Sequence, residues 1–330
     1  MTGFEMSIII PTYNRMNELA ELFHSIINQS IEPIEVIIVD DSDNNGIEYL
    51  VQEMTGVFRS KDIDLKYVRN NKGKSLTIAR NIGVQHAAGD IILFLDDDVV
   101  LEHNYLESLL LVYRNNYNVL GVQGFIMNNQ ATSFLRLQFN KLFLIGRYVK
   151  NECKILTSTN VTYPSVLDNL IQCQWLSGAN QSFKRSIFNE FQYDEKLKRY
   201  SLKEDVDFSY RIYKKYPESL FITPDARLVH KTSNIGRLPN QKVIMMKYVY
   251  SFYLFYKNIS QTSLNKLMFY WSWVGYSLLA LPFSSIFRFI SGSEYAIQYF
   301  KYALEGLLLC LLNLKKIKKG NLDFFDQFID

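Results

Sequence analysis

The sequence predicts an α/β fold with a mostly parallel central sheet, flanking helices and a helical carboxyl-terminal region. Two observations carry that prediction. Short apolar runs alternate with helical patterns up to Asp98, as expected for strands joined by crossover helices. Two of those runs, Val36–Val39 and Ile91–Leu95, end directly in carboxylates. Ligands of open α/β sheets bind just beyond the carboxyl ends of strands, so acids placed there mark a site.

The densest such group is Asp96, Asp97 and Asp98. Two unit charges about 4 Å apart repel by roughly 1 kcal/mol in water and roughly 4 kcal/mol at a protein-like effective dielectric. The cluster therefore favours a cation or partial protonation, and a hard divalent ion with oxygen ligands answers it. A solvated acidic turn is the competing reading of the run taken alone.

In chain order, Ser7–Ile10 reads as the first strand, stopped by Pro11, with Thr12, Tyr13, Asn14 and Arg15 as its polar loop. A helix follows with Asn17 as N-cap and Leu19, Leu22, Phe23, Ile26 and Ile27 on one face. Val36–Val39 ends in Asp40 and Asp41 before the turn-forming Ser42–Gly46. Ile47–Phe58 reads as a helix, Leu65–Val68 as a strand, and Ser75–Ala88 as a helix that holds Arg80 and Asn81 inside an apolar pattern. A guanidinium there either covers a surface or recognises phosphate or base. Tyr105–Tyr113 reads as a helix and Val119–Ile126 as a strand broken by Gly121 and Gly124. Residues 129–170 are ambiguous beyond a helix over Phe134–Phe143.

Trp175, Leu176, Ser177, Gly178, Ala179 and Asn180 form a loop whose glycine permits close backbone approach to a ligand, or a tight structural turn. Glu204 and Asp205 open a helix running to Lys215. Neighbouring helical residues point about 100° apart, so one of the two is expected to do chemistry while the other caps or pairs. His230 stands at the end of the run Leu228–His230, where a lone imidazole is more often structural than a ligand.

Composition narrows the function classes. The 330 residues are 48% hydrophobic, ample for a large core and an appendage. A net charge of +3 without an aromatic-interleaved basic stripe argues against nucleic acid. Three cysteines with no CxxC pair form neither a disulfide framework nor a zinc site, which suits a reducing cytoplasm. Met1–Met6 carry no basic segment followed by an apolar one, so the amino-terminal domain is expected to stay on the cytoplasmic side.

The ordered set Pro11–Arg15, Val39–Asp41, Arg80–Asn81, Asp96–Asp98, Ser177–Asn180 and Glu204–Asp205 resembles the inverting glycosyltransferases of family 2, which have the GT-A fold. The resemblance covers about residues 5 to 235 and implies a nucleotide-sugar transferase domain over 1–236, while the composition beyond it predicts a helical, membrane-associated region over 237–330. It implies transfer of a sugar from a nucleotide-diphosphate donor to a hydroxyl of a glycan or lipid-linked glycan, with Mg²⁺ or Mn²⁺. By that likeness Pro11, Thr12, Tyr13, Asn14, Arg15, Asp41 and Arg80 hold the nucleoside. Asp96 faces the ribose beside Asp97, Asp98 binds the metal with His230 as a further ligand, and the Trp175–Asn180 loop meets acceptor and diphosphate. Asp205 is the base, with Glu204 orienting the site. The Gln-x-x-Arg-Trp signature of processive synthases is missing, so single additions are expected. A sugar-nucleotide nucleotidyltransferase is disfavoured by the lack of a glycine-rich basic loop after the first strand. A degenerate transferase serving as a membrane-bound assembly partner is disfavoured by intact Asp98 and Asp205.

From Leu238 the composition turns helical, aromatic and apolar. The uncharged run Leu267–Phe287 is long enough, at 1.5 Å per residue, to cross a hydrocarbon core of about 30 Å. Its central Tyr270, Trp271, Trp273 and Tyr276 suit an interfacial or protein-packed helix better. Ala303–Leu314 runs into Lys315, Lys316, Lys318 and Lys319, which favour an anionic cytoplasmic membrane surface by about 1 kcal/mol each. The expectation is attachment at the inner face of the cell membrane, in surface-glycan assembly. A helical subdomain that packs on the catalytic domain or forms a homodimer is the alternative.

Overall fold

Ile8, Ile9 and Ile10 are fully buried, and the strand they form, β1 (Met6–Thr12), continues through Pro11 instead of stopping there. Ile9 accepts from Leu95 on one side, while Thr12 accepts from Asp41 on the other. Pro11 shares the side of Ile9, and pairing with the neighbouring strand on that side ends at Ile9, so the missing N–H leaves no ladder bond unmade.

The computed structural model describes residues 4–129, 132–233, 238–278 and 295–329. The chain divides into two compact units, Met1–Gln130 with Val166–Arg237, and Ala131–Ser165 with Leu238–Asp330. The second unit thus takes in a segment, 131–165, outside the expected helical region of 237–330.

The first unit continues through α1 (Met16–Ile27), β2 (Glu35–Asp40), α2 (Gly46–Arg59), β3 (Asp64–Arg69), α3 (Leu76–His86), β4 (Ile91–Phe94), β5 (Val99–Leu101), α4 (Tyr105–Asn115) and β6 (Gly121–Ile126). Leu19, Leu22, Phe23 and Ile26 bury one face of α1 at helical spacing. The helix starts one residue before Asn17, behind Arg15, so the expected N-cap is corrected: Asn17 lies in the first turn. Asn14 turns the chain at φ 56°, with its N–H bound to Ser42 Oγ at 2.8 Å, and this fixes the earlier start.

The second unit begins with α5 (Phe134–Leu142) and a parallel pair, β7 (Arg147–Val149) and β8 (Thr162–Pro164). The first unit resumes with β9 (Ile171–Gln172), β10 (Gln181–Lys184), a 3₁₀ turn over Arg185–Asn189, α6 (Glu204–Lys215) and β11 (Leu220–His230). Its nine-stranded sheet has the order β3-β2-β1-β4-β10-β6-β11-β5, with β9 also on β11. β1, β2, β3, β4, β6 and β11 run one way, and β5, β9 and β10 the other. The carboxyl ends of β1, β2 and β4 therefore share one edge. Antiparallel β10 starts at that same edge, with Ser182 opposite Leu93, and so delivers the Trp175–Asn180 loop to it.

The rest of the second unit comprises α7 (Asn240–Asn258), α8 (Ser263–Leu278), α9 (Tyr295–Leu312), α10 (Leu314–Lys318) and α11 (Asp323–Ile329). Aromatic rings build its core: Phe255 stacks on Phe269 at 4.0 Å, Phe252 meets Phe269 edge-on at 4.9 Å, and Tyr250 meets Phe325 at 5.8 Å. None of the described helices is long and apolar enough to cross a membrane. Residues 279–294, the second half of the expected Leu267–Phe287 span, lie outside the described residues.

Candidate active site at the carboxyl edge of the sheet

Three acids in a row, directly after a buried strand, cannot all face one way, and the structure separates them. Asp97 turns inward and is buried. Its Oδ2 accepts from Thr12 Oγ1 at 2.8 Å and its Oδ1 from Arg15 Nη1 at 2.8 Å. Burial pushes its pKa up to about 7 against the pull of Arg15. Arg15 also reaches Asp98 Oδ2 at 3.3 Å. Thr12 and Arg15, expected at the donor, thus brace the acidic turn.

Asp96 and Asp98 converge on His230, whose Nε2 lies 3.0 Å from Asp98 Oδ1 and 4.0 Å from Asp96 Oδ2. One ligand atom from each of the three falls within 4.8 Å of the others. Asp98 Oδ2 accepts the Ser233 N–H at 2.8 Å, while the buried Oδ1 faces the His230 imidazole. Burial alone would raise the Asp98 pKa, but His230, the Ser233 N–H and Arg15 outweigh it and hold it below the usual range. Two hard carboxylates and an imidazole converging on one point fit Mg²⁺ or Mn²⁺. Asp96, expected to face the ribose, contributes one oxygen to this set.

Arg80 is buried beside the site, 1% accessible. Its Nη1 donates to Glu204 Oε1 at 2.6 Å, and its Nη2 to the Gly178 carbonyl at 3.0 Å and to Asp96 Oδ1 at 3.4 Å. The guanidinium also lies 5.4 Å from the Tyr193 ring centre. Its burial places it behind the edge, where it joins three chain segments. Burial and the adjacent Asp205 push Glu204 up to about 8, against the pull of Arg80.

Asp205 points elsewhere, as neighbours on a helix must. Its Oδ2 accepts the Gly178 N–H at 2.8 Å and its Oδ1 the Val206 N–H at 2.7 Å. Burial raises its pKa, with nearby Asp96 adding to the rise and the two N–H groups and Arg80 opposing it. A Cβ on Gly178 would stand 2.8 Å from Arg80 Nη2 and 3.2 Å from Glu204 Oε1, so a side chain there must displace one of them. The rest of that loop is anchored from within. Ser177 N–H donates to Gln123 Oε1 at 2.5 Å, Asn180 Nδ2 to the Gly124 carbonyl at 2.8 Å, and Asp96 N–H to the Ala179 carbonyl at 3.2 Å, while Trp175 is buried.

The loop after β1 is tied to the loop after β2. Tyr13 OH donates to Asp43 Oδ2 at 2.7 Å, Lys74 Nζ pairs with Asp43 Oδ1, and the same ammonium lies 5.0 Å from the Tyr13 ring centre. Asp41 accepts from Asn70 Nδ2 at 2.6 Å and from the Ser75 N–H at 3.0 Å, yet burial still pushes it up to about 6.

Residues 7–170 match the family model described as Glycosyl transferase family 2. The chain belongs to this family. The family 2 transferase is similar to the chondroitin synthase of Pasteurella multocida, 28% identical over 229 residues, covering 64% of this chain and 23% of that protein. It is 26% identical over 238 residues to the glucosyl-dolichyl phosphate glucuronosyltransferase of Haloferax volcanii, covering 69% of each. It spans less than a third of the length of that synthase or of the Escherichia coli chondroitin synthase, 32% in the latter case. Among solved structures it resembles the mannosyltransferase PcManGT of Pyrobaculum calidifontis in complex with GDP-Man and Mn²⁺, with a TM-score of 0.55 at 15% identity, over 95% of this chain and 88% of that one. It also resembles S. aureus TarS residues 1–349, with a TM-score of 0.51 at 16% identity, over 96% and 90%. The fold of the transferase is GT-A.

Sequence reasoning missed several members of the site. Ser233 offers only a backbone N–H, which no side-chain pattern reveals. Tyr193 and the Lys74–Asp43 pair gave no local signal. The run of charge at Asp43 and Lys74 flanking Tyr13 in space is visible only once β1, β2 and β3 are side by side.

Proposed function

We propose that this family 2 transferase moves a sugar from a nucleotide-diphosphate donor to an acceptor hydroxyl, with inversion at the anomeric carbon and one addition at a time. One observation carries the reading: a single buried guanidinium, Arg80, bonds both Asp96 of the metal-ligand set and Gly178, whose N–H holds Asp205. The ligand set and the base are thereby fixed relative to each other.

The geometry supports the following roles. Asp98, Asp96 and His230 would hold the divalent ion, with Thr12 bracing Asp97 and Arg15 bridging Asp97 and Asp98 behind them. When bound, Mg²⁺ or Mn²⁺ supplies Lewis-acid neutralisation of the charge that develops on the diphosphate leaving group. Tyr13, Asn14, Pro11 and Asp41 line the nucleoside side of the edge. Asp205 takes the proton of the attacking hydroxyl, and its raised pKa makes it a stronger base than a solvent-exposed aspartate. Glu204 holds Arg80 and through it the Gly178 turn, while Ser177–Asn180 border acceptor and diphosphate.

The acceptor is a glycan or lipid-linked glycan at the inner face of the cell membrane, in surface-glycan assembly. Similarity to the Haloferax volcanii glucosyl-dolichyl phosphate glucuronosyltransferase supports a lipid-linked acceptor. Lys315, Lys316, Lys318 and Lys319, clustered at the end of a helical region, support a location at an anionic surface. The test is a panel of nucleotide-diphosphate sugars with and without Mn²⁺, read by nucleoside diphosphate release. Metal-dependent release with one donor is expected; no release with any donor, or undiminished release in excess chelator, would overturn the reading.

A further inference from the structure

The second unit differs electrostatically from the first. Residues 131–165 and 238–330 hold fifteen of the 36 basic and six of the 33 acidic side chains, which leaves twenty-one and twenty-seven for the first unit. The formal charges are +9 and −6. From Ala226 to Ser293 the chain contains no acid at all.

Two helices of that cationic unit carry apolar side chains to the surface. On α8, Leu264, Leu267, Trp271 and Val274 are exposed at spacings of three, four and three, one stripe along the helix, while Phe269, Ser272 and Trp273 are buried behind it. On α5, Leu135 and Leu142 are exposed two turns apart, at 77% and 62%. The stripes meet at Trp271. Its Nε1 donates to the Leu142 carbonyl at 2.8 Å, and its ring stacks on Phe143 at 4.8 Å. Gly275 permits the contact, since a Cβ there would stand 2.3 Å from Phe143. Arg136, Lys141 and Lys266 are exposed on the same two helices, and neither helix contains an acid.

We propose that this face of α5 and α8 lies on an anionic lipid surface. The inference rests on the membrane reading above and names a contact surface separate from Lys315–Lys319. Charge selects the occupant. A second copy docked through the same patch would set Arg136, Lys141 and Lys266 against their own images with no acid to pair them. A plane of anionic headgroups pairs with all three, while Leu264, Leu267 and Val274 enter the boundary with the acyl chains and Trp271 sits at the headgroup level it prefers.

The experiment is co-sedimentation of the full chain with phosphatidylserine–phosphatidylcholine vesicles and with phosphatidylcholine alone. The comparison is with Leu264→Gln/Leu267→Gln, and with Leu135→Gln as a second variant on the other helix. The wild type should bind the anionic vesicles more tightly, and added salt should weaken it. The double variant should lose ~10-fold or more in partitioning, with an unchanged melting temperature and unchanged donor hydrolysis in solution. Leu135→Gln should lose less. If the wild type ignores both vesicles, the membrane reading itself fails. If the wild type binds and the variants bind equally well, the face is wrongly assigned and the membrane reading stands. Light scattering supplies the remaining outcome: a dimer that the double variant converts to monomer would make the face a homodimer interface and overturn the proposal.

Discussion

The two edges of the central sheet both bury carboxylates, and they treat them in opposite ways. At the amino edge Glu35 is 2% exposed, and its Oε1 accepts from Ser7 Oγ at 2.5 Å and the Ala88 N–H at 2.6 Å, while Oε2 pairs with Lys66. Burial alone would raise its pKa, but these donors outweigh it and the net shift is downward. At the carboxyl edge Asp41, Asp97, Glu204 and Asp205 are all shifted upward, and Asp96 and Asp98 converge on the His230 imidazole. A satisfied buried acid holds a fold together. An under-satisfied group of them stores an appetite for a cation or a proton, and that is what a metal-assisted transfer uses.

The largest expected effect breaks the comparison at the ligand set. Excess chelator, or Asp98→Asn, should lower transfer by ~10³-fold or more, because a charged hard ligand is lost while the shape remains. Isothermal calorimetry with Mn²⁺ alone should register the loss of affinity independently of turnover. Full activity of Asp98→Asn would mean that the acidic cluster is an ordinary turn.

Next comes the pair at the start of α6. Asp205→Asn should leave donor and metal affinity nearly intact and lower single-turnover transfer by ~10²-fold or more, the usual scale for a general base. Glu204→Gln should reduce transfer less, by ~10-fold, since an amide oxygen can still accept from Arg80 Nη1. The opposite ranking of transfer rates would move the base to Glu204 and leave the fold and the ligand set standing. Gly178→Ala sharpens the same point. Its new Cβ must push Arg80 or Glu204 aside, at a cost of about 1–3 kcal/mol, and transfer should fall while Mn²⁺ affinity holds, as thermal melts and calorimetry would report.

Much of this was legible in the sequence, for a physical reason. Strands β1, β2 and β4 are buried on both faces and so read as unbroken apolar runs, and their ends could be located to within a residue or two. Asp96 and Asp98 follow from those ends, whereas the helix start left Glu204 and Asp205 open and the family resemblance favoured Asp205. Contacts between distant segments were not legible. The periodicity of α3 says that Arg80 falls on an apolar pattern, but not that its partner is Glu204, 124 positions away. β10 is four residues, Gln181–Lys184, with polar ends, too short and too mixed to announce itself as the antiparallel strand between β4 and β6. The segment 131–165 is ambiguous by itself because its apolar side chains are completed by the carboxyl-terminal helices, as Phe143 on Trp271 illustrates.

The smallest expected effect on catalysis lies at the amino edge, and there the comparison predicts a change in stability alone. Glu35→Gln removes the charge that Ser7, Ala88 and Lys66 converge on, and should cost about 1–3 kcal/mol at pH 7. Transfer, corrected for folded protein, should stay within about twofold, since no part of the carboxyl edge is touched. The sign of the pH dependence separates the two edges. Glu35 has a folded pKa below its unfolded value, so its contribution is present above the unfolded pKa and is lost as pH falls through the folded one. Melting curves of wild type and Glu35→Gln should therefore converge on acidification below pH ~4. Asp41, pushed up to about 6, has the opposite sign: its contribution is present below its unfolded pKa and is lost as pH rises towards 6. Asp41→Asn should accordingly cost more stability at pH 4 than at pH 8. Parallel pH profiles for the two variants would show that the edges do not differ in the way their hydrogen bonds imply.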